Sequence, residues 1–130
     1  MAIVIVDDSP TNLAVLKSLS ANVYKGEAKA FTNARTAADH LAGNGADLIV
    51  VDYSMPDLNG VDFIHEVRAL AHHKATPIVM VTHSADLAVR ARALEAGATD
   101  FLNKPVDAIE FKARIKHLLS RHELAPASTD

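Results

Sequence analysis

The 130-residue sequence predicts a single α/β domain built on a five-stranded parallel sheet. Short apolar runs recur five times along the chain, and segments with helical periodicity separate them. The strongest runs lack the polar–apolar alternation of a strand with one exposed face, so they are typical of strands covered on both faces. Five alternations of strand and helix predict one α/β domain rather than two domains or an all-β fold.

The first, third and fourth runs are rich in β-branched residues and are predicted to be interior strands. The second and fifth are weaker and are predicted to lie at the edges of the sheet. In order, the runs are "AIVIV" (2–6), "GEAKAF" (26–31), "DLIVV" (47–51), "PIVMV" (77–81) and "TDFLN" (99–103).

Capping residues mark the starts of the first two helices. Ser9 or Thr11 is predicted to cap the first helix and Asn33 the second, which should stop at Gly43. The apolar face of the first helix is predicted to contain Leu13, Leu16 and Leu19.

The three later helices follow from periodicity. The third, in "VDFIHEVRAL", places Val61, Ile64 and Val67 on one face. The fourth should end in a left-handed cap at Gly97. For the fifth helix the predicted buried side consists of Ile109, Ala113, Ile115 and Leu119.

Composition narrows the class of function. The chain is 49% hydrophobic and 22% charged, which is typical of a folded globular domain. A net charge of −3 gives no electrostatic reason to expect nucleic-acid binding, and the lack of cysteine excludes disulfides and thiolate metal sites. With no long apolar run and an acidic start rather than a basic leader, we expect a soluble cytoplasmic domain.

Polar residues whose side chains can take part in a reaction or bind a metal follow four of the five strands. Asp7 and Asp8 follow the first strand, Asp52 the third, Thr82 the fourth and Lys104 the fifth. Any one of them is explained as a turn former or a helix cap. Because the carboxyl ends of parallel strands meet at one edge of the sheet, however, the five should converge on one crevice.

Three carboxylates in one crevice repel each other strongly. At about 4 Å and an effective dielectric constant near 20, each pair costs roughly 4 kcal/mol. A single lysine does not offset three such charges, so either some carboxyls are protonated or a divalent cation binds. An all-oxygen site of this kind suits Mg²⁺ better than zinc.

Four motifs, in order and at matching spacing, give the chain a recognisable pattern. It resembles the receiver domain of bacterial two-component response regulators over about residues 2–121. The resemblance implies a doubly wound, flavodoxin-like sheet of strand order 2-1-3-4-5, a receiver domain over 1–122, and a tail or linker start over 123–130. The motifs are "VDD" (6–8), "VVDYSMPDLNG" (50–60), "VMVTHS" (79–84) and "DFLNKP" (100–105).

The resemblance also implies roles for the acidic residues. Asp52 would be the phosphoacceptor, whose carboxylate becomes an acyl phosphate, and would also contact the metal. Asp8 would bind Mg²⁺ directly and Asp7 through metal-bound water, with Mn²⁺ as a possible substitute. The backbone carbonyl of Ser54 would complete the protein ligands.

The same resemblance assigns the switch. Lys104 would pair with Asp52 and then with the phosphoryl oxygens, and its peptide bond to Pro105 would be cis. Thr82 would bind the phosphoryl group, and Phe101 would turn inward when Thr82 moves.

Two positions depart from the common pattern and lie where water would reach the acyl phosphate. Ser54, two residues past the phosphoacceptor, is small and neutral, and His83 is bulkier than the residue often found after the switch threonine. Both are therefore predicted to modulate access, and His83 to slow loss of the phosphoryl group. The remaining histidines are predicted to form no metal site.

The function that the resemblance implies is a signalling switch rather than a turnover enzyme. A sensor histidine kinase or histidine phosphotransfer protein would phosphorylate Asp52 and change the face formed by residues 85–118. That face is a candidate for homodimerisation, and an attached effector, for example a cyclic-dinucleotide phosphodiesterase, is a further possibility. Candidates for ion pairs across the dimer, or simply for a solvated charged face, are Arg90, Arg92, Asp100, Asp107 and Arg114.

Two alternatives remain open from the sequence. A phosphatase of the haloacid dehalogenase type also uses an aspartate nucleophile, but it needs a second acid where this chain has Ser54. A pseudo-receiver that only binds partners would not need the complete set of site residues.

Overall fold

A computed structural model of the protein describes residues 2–83 and 87–124, with side chains described up to residue 120. Ser84 of the third motif, residues 85 and 86 of the predicted output face, and residues 125–130 of the predicted tail lie outside the described residues. The elements in chain order are β1 Ala2–Val6, α1 Pro10–Ala21, β2 Glu27–Phe31, α2 Ala34–Gly43, β3 Leu48–Asp52, α3 Gly60–Arg68, a 3₁₀ turn Ala71–His73, β4 Ile78–Thr82, α4 Leu87–Ala96, β5 Asp100–Asn103 and α5 Ala108–Leu124.

The five strands form one parallel sheet in the order β2-β1-β3-β4-β5, as predicted. Every residue of β1, β3 and β4 is buried, whereas β2 and β5 lie at the two edges and are partly exposed. The continuous apolar runs are therefore interior strands, because both of their faces are covered.

Two apolar layers cover the two faces of the sheet. On one face α2, α3 and α4 contribute residues such as Leu41, Phe63 and Val89. On the other face α1 and α5 contribute residues such as Leu16 and Phe111. Of the helices in the described part of the chain, none is long and apolar enough to span a bilayer.

Helix ends agree closely with the capping predictions. The side chain of Ser9, rather than Thr11, accepts a hydrogen bond from Asn12 N at 3.2 Å and caps α1. Asn33 caps α2 in the same way, through Thr36 N at 2.9 Å. Gly97 follows α4 with φ of +119°, a left-handed conformation that glycine adopts without the penalty of a Cβ.

The predicted buried face of α5 was partly wrong. Ile109 is 77% exposed and Ala113 is also exposed, whereas the buried stripe is formed by Phe111, Ile115 and Leu118. Ile109 and Ala113 each lie two positions before a buried residue, which is about 200° around the helix. Ile115 is buried and Leu119 is partly buried, as predicted, and the error at the other two positions arose because Phe111 was not used as the reference for the stripe.

Candidate functional site

Neighbouring strands bring the predicted site residues to one edge of the sheet. Asp7 follows β1, Asp52 ends β3 and Thr82 ends β4. In the sheet register, Asp52 lies beside Val81 and Thr82 lies beside the last residue of β5, one position before Lys104. The convergence that the sequence predicted is therefore present.

Three carboxylates meet in the crevice. Asp7, Asp8 and Asp52 each present an oxygen within 4.8 Å of the other two. Asp7 and Asp52 are only 1% and 3% exposed, whereas Asp8 is open to solvent. Burial makes this cluster costly, because charged groups in a low-dielectric environment lose the hydration that stabilises them.

Among the described residues, Lys104 is the cation that forms ion pairs with these acids. Its Nζ lies 2.9 Å from Asp52 Oδ2 and 3.7 Å from Asp7 Oδ2. Its backbone N–H donates to the Thr82 carbonyl at 3.0 Å, which fixes the start of the side chain beside β4. The Lys104–Pro105 peptide bond is cis, as predicted.

The ionisation of Asp52 reflects opposing effects. Burial raises the pKa of the Asp52 carboxyl above its ordinary value, the Lys104 ammonium opposes the rise, and the nearby Asp7 carboxylate adds to it. The Ser54 backbone N–H also approaches Asp52 Oδ1, at 3.4 Å. Without a further cation, ionised Asp52 is therefore held at a free-energy cost.

The donor set fits a hard divalent cation. Three carboxylates face one ammonium, so the ionised residues leave two negative charges uncompensated. Their ligand atoms are all oxygen, which matches Mg²⁺ or Mn²⁺ and not zinc held by nitrogen or sulfur. Asp8 is the most accessible of the three. Asp7 Oδ1 accepts a hydrogen bond from the Ser9 backbone N–H at 2.9 Å.

The loop between β3 and α3, residues 53–59, is called the site loop below. Its base is closed where Gly60 N donates to the Tyr53 carbonyl at 2.9 Å. A Cβ at position 60 would lie only 2.9 Å from Tyr53 Cα and 3.0 Å from the Asp52 carbonyl oxygen. Glycine is therefore required there, because α3 begins in direct contact with the end of β3.

The two predicted switch residues lie on adjacent strands. Thr82 is 2% exposed at the end of β4, and Phe101 is partly buried against the α2–α3–α4 layer. The Arg90 guanidinium lies over the Phe101 ring, 5.2 Å from its centre, and donates to Asn103 Oδ1. Phe101 is thus sandwiched between the core and a cation of α4.

The two predicted access positions are both exposed beside the crevice. Ser54 lies in the site loop, and His83 follows β4. A cavity of about 300 Å³ lies on the α1 side of the site, and its lining includes Asp7, His83 and Lys104.

Charged residues on the predicted output face bond within the chain. Arg114 Nη1 lies 2.6 Å from Asp100 Oδ2, which joins α5 to β5. Asp107 accepts from Glu110 N at 3.0 Å and caps α5. These two acids therefore have structural partners inside the domain.

Sequence reasoning missed Asp57 in the site loop, the buried His73 and the half-buried Arg68 that bonds it. Asp57 accepts a hydrogen bond from Arg35 N at 3.0 Å, across 22 positions of sequence. An acid in a loop gives no signal of such a contact, because its partner is brought close only by the packing of α2 against α3.

Comparison with known families identifies the class of protein. Residues 3–116 match the response regulator receiver domain model, so the chain belongs to that family, whose members act as signalling switches. The motifs at the strand ends are the ones that line the crevice, so the family match and the geometry agree.

The similar proteins include both short and long chains. The chain is 31% identical to the chemotaxis protein CheY of Pseudomonas aeruginosa, over 93% of this chain and 98% of that one. It is 35% identical to the cyclic di-GMP phosphodiesterase response regulator RpfG of Xanthomonas campestris, over 90% of this chain but 31% of the relative. The chain spans no more than about a third of the first curated relatives it matches.

A solved structure confirms the fold. The CheY-like receiver domain protein of Methanospirillum hungatei superposes with a TM-score of 0.87 at 25% identity, over 96% of this chain and 98% of that one. The doubly wound sheet predicted from the sequence is therefore the fold of this family.

Proposed function

We propose that Asp52 of this receiver domain accepts a phosphoryl group from a phosphohistidine, and that phosphorylation switches the face formed by residues 85–118. One observation carries the proposal: a buried carboxylate at the centre of the sheet edge lies 2.9 Å from Lys104 and within 4.8 Å of two further acids. Such a group is costly for stability and well suited to phosphoryl transfer.

The chemistry needs little more than these residues. An Asp52 carboxylate oxygen forms the new bond to phosphorus while the bond from phosphorus to the donor's imidazole nitrogen breaks, and the imidazole leaves with the bonding electrons and takes up a proton. Because the carboxylate is already ionised, no general base is required. Lys104, held beside Asp52, stabilises the negative charge on the phosphoryl oxygens.

The oxygen atoms of the three carboxylates and of the site loop are suited to hold a metal ion. The residues that would hold it are Asp8 directly, Asp7 through water, Asp52, and the backbone carbonyl of Ser54. When bound, Mg²⁺, or Mn²⁺ in its place, supplies positive charge that offsets the carboxylates and the phosphoryl oxygens.

The output follows from the switch residues. Thr82 binds the phosphoryl group, and Phe101 then moves inward from its position under Arg90, which alters α4 and β5. This is a shift between two pre-existing conformations, driven by new contacts to the phosphoryl oxygens.

The 85–118 face is also the proposed surface for homodimerisation. Leu87 and Leu94 of α4 are 79% and 56% exposed, which supports an apolar contact there. Because Asp100 and Arg114 already pair within the chain, a dimer that used them would have to exchange this pair.

The sequence predicted a domain end at residue 122 and a tail or linker start over 123–130, but α5 continues to Leu124, so the boundary is proposed to follow α5. The domain is proposed to work in the cytoplasm. An attached effector is part of the proposal, and the similarity to RpfG supports a cyclic-dinucleotide phosphodiesterase.

The domain itself is proposed to have no turnover activity beyond gaining and losing its own phosphoryl group. Ser54 stands where a phosphatase of the haloacid dehalogenase type needs a second acid, which disfavours that alternative.

The test is incubation with Mg²⁺ and acetyl phosphate, followed by intact mass. The wild-type protein should gain one phosphoryl group, and Asp52→Asn should gain none. Failure of the wild type to react, or equal reaction of Asp52→Asn, would contradict the proposal.

The access role of His83 has a separate test. His83→Ala should shorten the lifetime of the acyl phosphate about threefold or more, because an exposed ring beside the crevice would no longer exclude water. The decay of the phosphorylated mass after removal of the donor measures this lifetime. An unchanged or longer lifetime would refute the role.

A further inference from the structure

The site loop is fastened at a point away from the strand that carries Asp52. Asp57 Oδ2 accepts a hydrogen bond from Arg35 N, the second residue of α2, at 3.0 Å. The contact lowers the pKa of the Asp57 carboxyl, chiefly through the Arg35 N–H. Asn33 already accepts from Thr36 N, so Asp57 supplies this helix end with a second acceptor from another segment.

The same arginine is held from its other end. The Arg35 guanidinium makes a two-pronged contact with Glu66 of α3, with nitrogen–oxygen distances of 2.7 and 2.9 Å. Arg35 is therefore bonded through its backbone to the site loop and through its side chain to α3. The Glu66 contact joins α2 to α3, whereas the Asp57 contact joins α2 to the site loop.

Ser54 lies between two anchors of this loop. One is the base, where Gly60 N donates to the Tyr53 carbonyl, and the other is Asp57. The buried Met55 side chain fixes the middle of the loop in the core. Ser54 itself is exposed, and its backbone N–H makes a long hydrogen bond, 3.4 Å, to Asp52 Oδ1.

We propose that Asp57 is a positioning residue for the metal site, which holds the site loop against α2 so that the Ser54 carbonyl faces the carboxylates. The inference rests on the proposed function, because it takes Ser54 as a metal ligand. Asp57 acts through the loop and contacts neither the metal nor the phosphoryl group.

Chemistry distinguishes this role from a general effect of charge. A backbone N–H needs an acceptor, and an asparagine side-chain oxygen accepts as well as a carboxylate oxygen does. Asp57→Asn therefore removes the charge and keeps the contact, whereas Asp57→Ala removes both. Glu66→Ala is a matched control, since it removes an exposed acid that bonds the same arginine but lies on α3.

The experiment is a Mg²⁺ titration of the wild type and the three variants, followed through the backbone amide resonance of Ser54. Asp57→Ala should raise the dissociation constant about threefold to tenfold, less than the roughly 10- to 100-fold cost of removing a group that bonds a metal ligand directly. Asp57→Asn and Glu66→Ala should stay within about twofold of the wild type. The rate of phosphorylation by acetyl phosphate should fall in Asp57→Ala at low Mg²⁺ and recover at saturating Mg²⁺.

Each other outcome overturns the inference. Equal binding by Asp57→Ala and wild type would show that the contact does not position the loop. Equal weakening in Asp57→Asn and Asp57→Ala would indicate charge alone, and equal weakening in Glu66→Ala would indicate general loosening of α2 and α3. A wild type that binds no Mg²⁺ and gains no phosphoryl group would instead refute the proposed function.

Discussion

Two polar clusters in this domain differ in how their charged groups are paired. At the sheet edge, Asp7 and Asp52 are buried with like charge and share one ammonium, Lys104. At the ends of the helices, a second group is built around His73 and Arg68 and is here called the helix-end cluster. The first cluster holds several like charges around one ammonium, whereas the second holds one cation, Arg68, whose partners are carbonyl groups.

The helix-end cluster provides hydrogen-bond partners for both ring nitrogens of the fully buried His73. His73 Nε2 lies 2.8 Å from the Asn44 carbonyl and 3.0 Å from the Leu41 carbonyl, so this nitrogen carries the proton and donates. Nδ1 lies 3.0 Å from Thr76 Oγ1 and accepts from that hydroxyl. Burial lowers the pKa of His73, which keeps the ring neutral.

Arg68 extends this cluster to α4. Its guanidinium donates to the His73 carbonyl at 2.6 Å and to the Gly97 carbonyl at 2.8 and 3.1 Å. A cation at the C-terminal end of α4 is also favoured by the helix dipole. Burial lowers the pKa of Arg68, so in this cluster the hydrogen bonds offset a cost of burial. At the sheet edge the buried like charges cost stability and prepare a reaction.

The largest expected effect on stability comes from a substitution that disrupts the helix-end cluster. His73→Ala should lower the free energy of unfolding by about 3 kcal/mol, because it leaves a cavity and removes the donor to the Asn44 carbonyl, whereas the Leu41 carbonyl keeps its contact with His72. Urea unfolding measures the change. The folded protein should still accept a phosphoryl group at the wild-type rate, since the contacts of His73 are all within the helix-end cluster.

His72→Ala is the matched control for that variant. His72 is exposed and bonds the Leu41 carbonyl through one nitrogen, so its loss should cost less than about 1 kcal/mol. Equal costs for the two histidines would show that burial of His73 does not stabilise the fold.

The next effect concerns the ammonium at the sheet edge. Lys104→Met should lower the rate of phosphorylation by acetyl phosphate roughly 100-fold, equivalent to about 2.7 kcal/mol, because charge on the phosphoryl oxygens loses its fixed cation. Lys74→Met, a change at an exposed lysine after the 3₁₀ turn, should leave the rate unchanged. A rate within twofold of the wild type in Lys104→Met would remove Lys104 from the mechanism.

The smallest expected effect concerns the stability that the fold loses by burying ionised Asp52. Because the pKa of Asp52 is raised in the folded state, its ionisation opposes folding once the pH rises through that folded-state value. Asp52→Asn should therefore stabilise the metal-free domain by about 1 kcal/mol at pH 7 and by nothing near pH 3, where the carboxyl is protonated in both states. Urea unfolding in chelator at both values checks this, and destabilisation at pH 7 would show that the Lys104 pair outweighs burial.

The sequence predicted most of the sheet edge, and the reason is physical. Buried strands such as β3 are continuous apolar runs, and the residue that follows each run must lie at the carboxyl edge. Asp52, Thr82 and Lys104 were found in this way. Their roles came from the family resemblance, not from periodicity.

The helix-end cluster and the Asp57 contact were not predictable from the sequence. Arg68 bonds a carbonyl 29 positions away, and Asp57 bonds an amide 22 positions away. Backbone groups are present at every residue, so no pattern of side chains marks the partner. Ile109 is a different case, because the helical spacing of Phe111, Ile115 and Leu118 marks a stripe that excludes it.

The position of the phosphoryl group in the chain can be identified directly by chemical trapping. After incubation with Mg²⁺ and acetyl phosphate, borohydride reduces an aspartyl phosphate to homoserine, and peptide mass spectrometry identifies the position. Homoserine is expected at position 52 alone. Homoserine at Asp7, Asp8 or Asp57, or at no position in a protein shown to be folded, would contradict it.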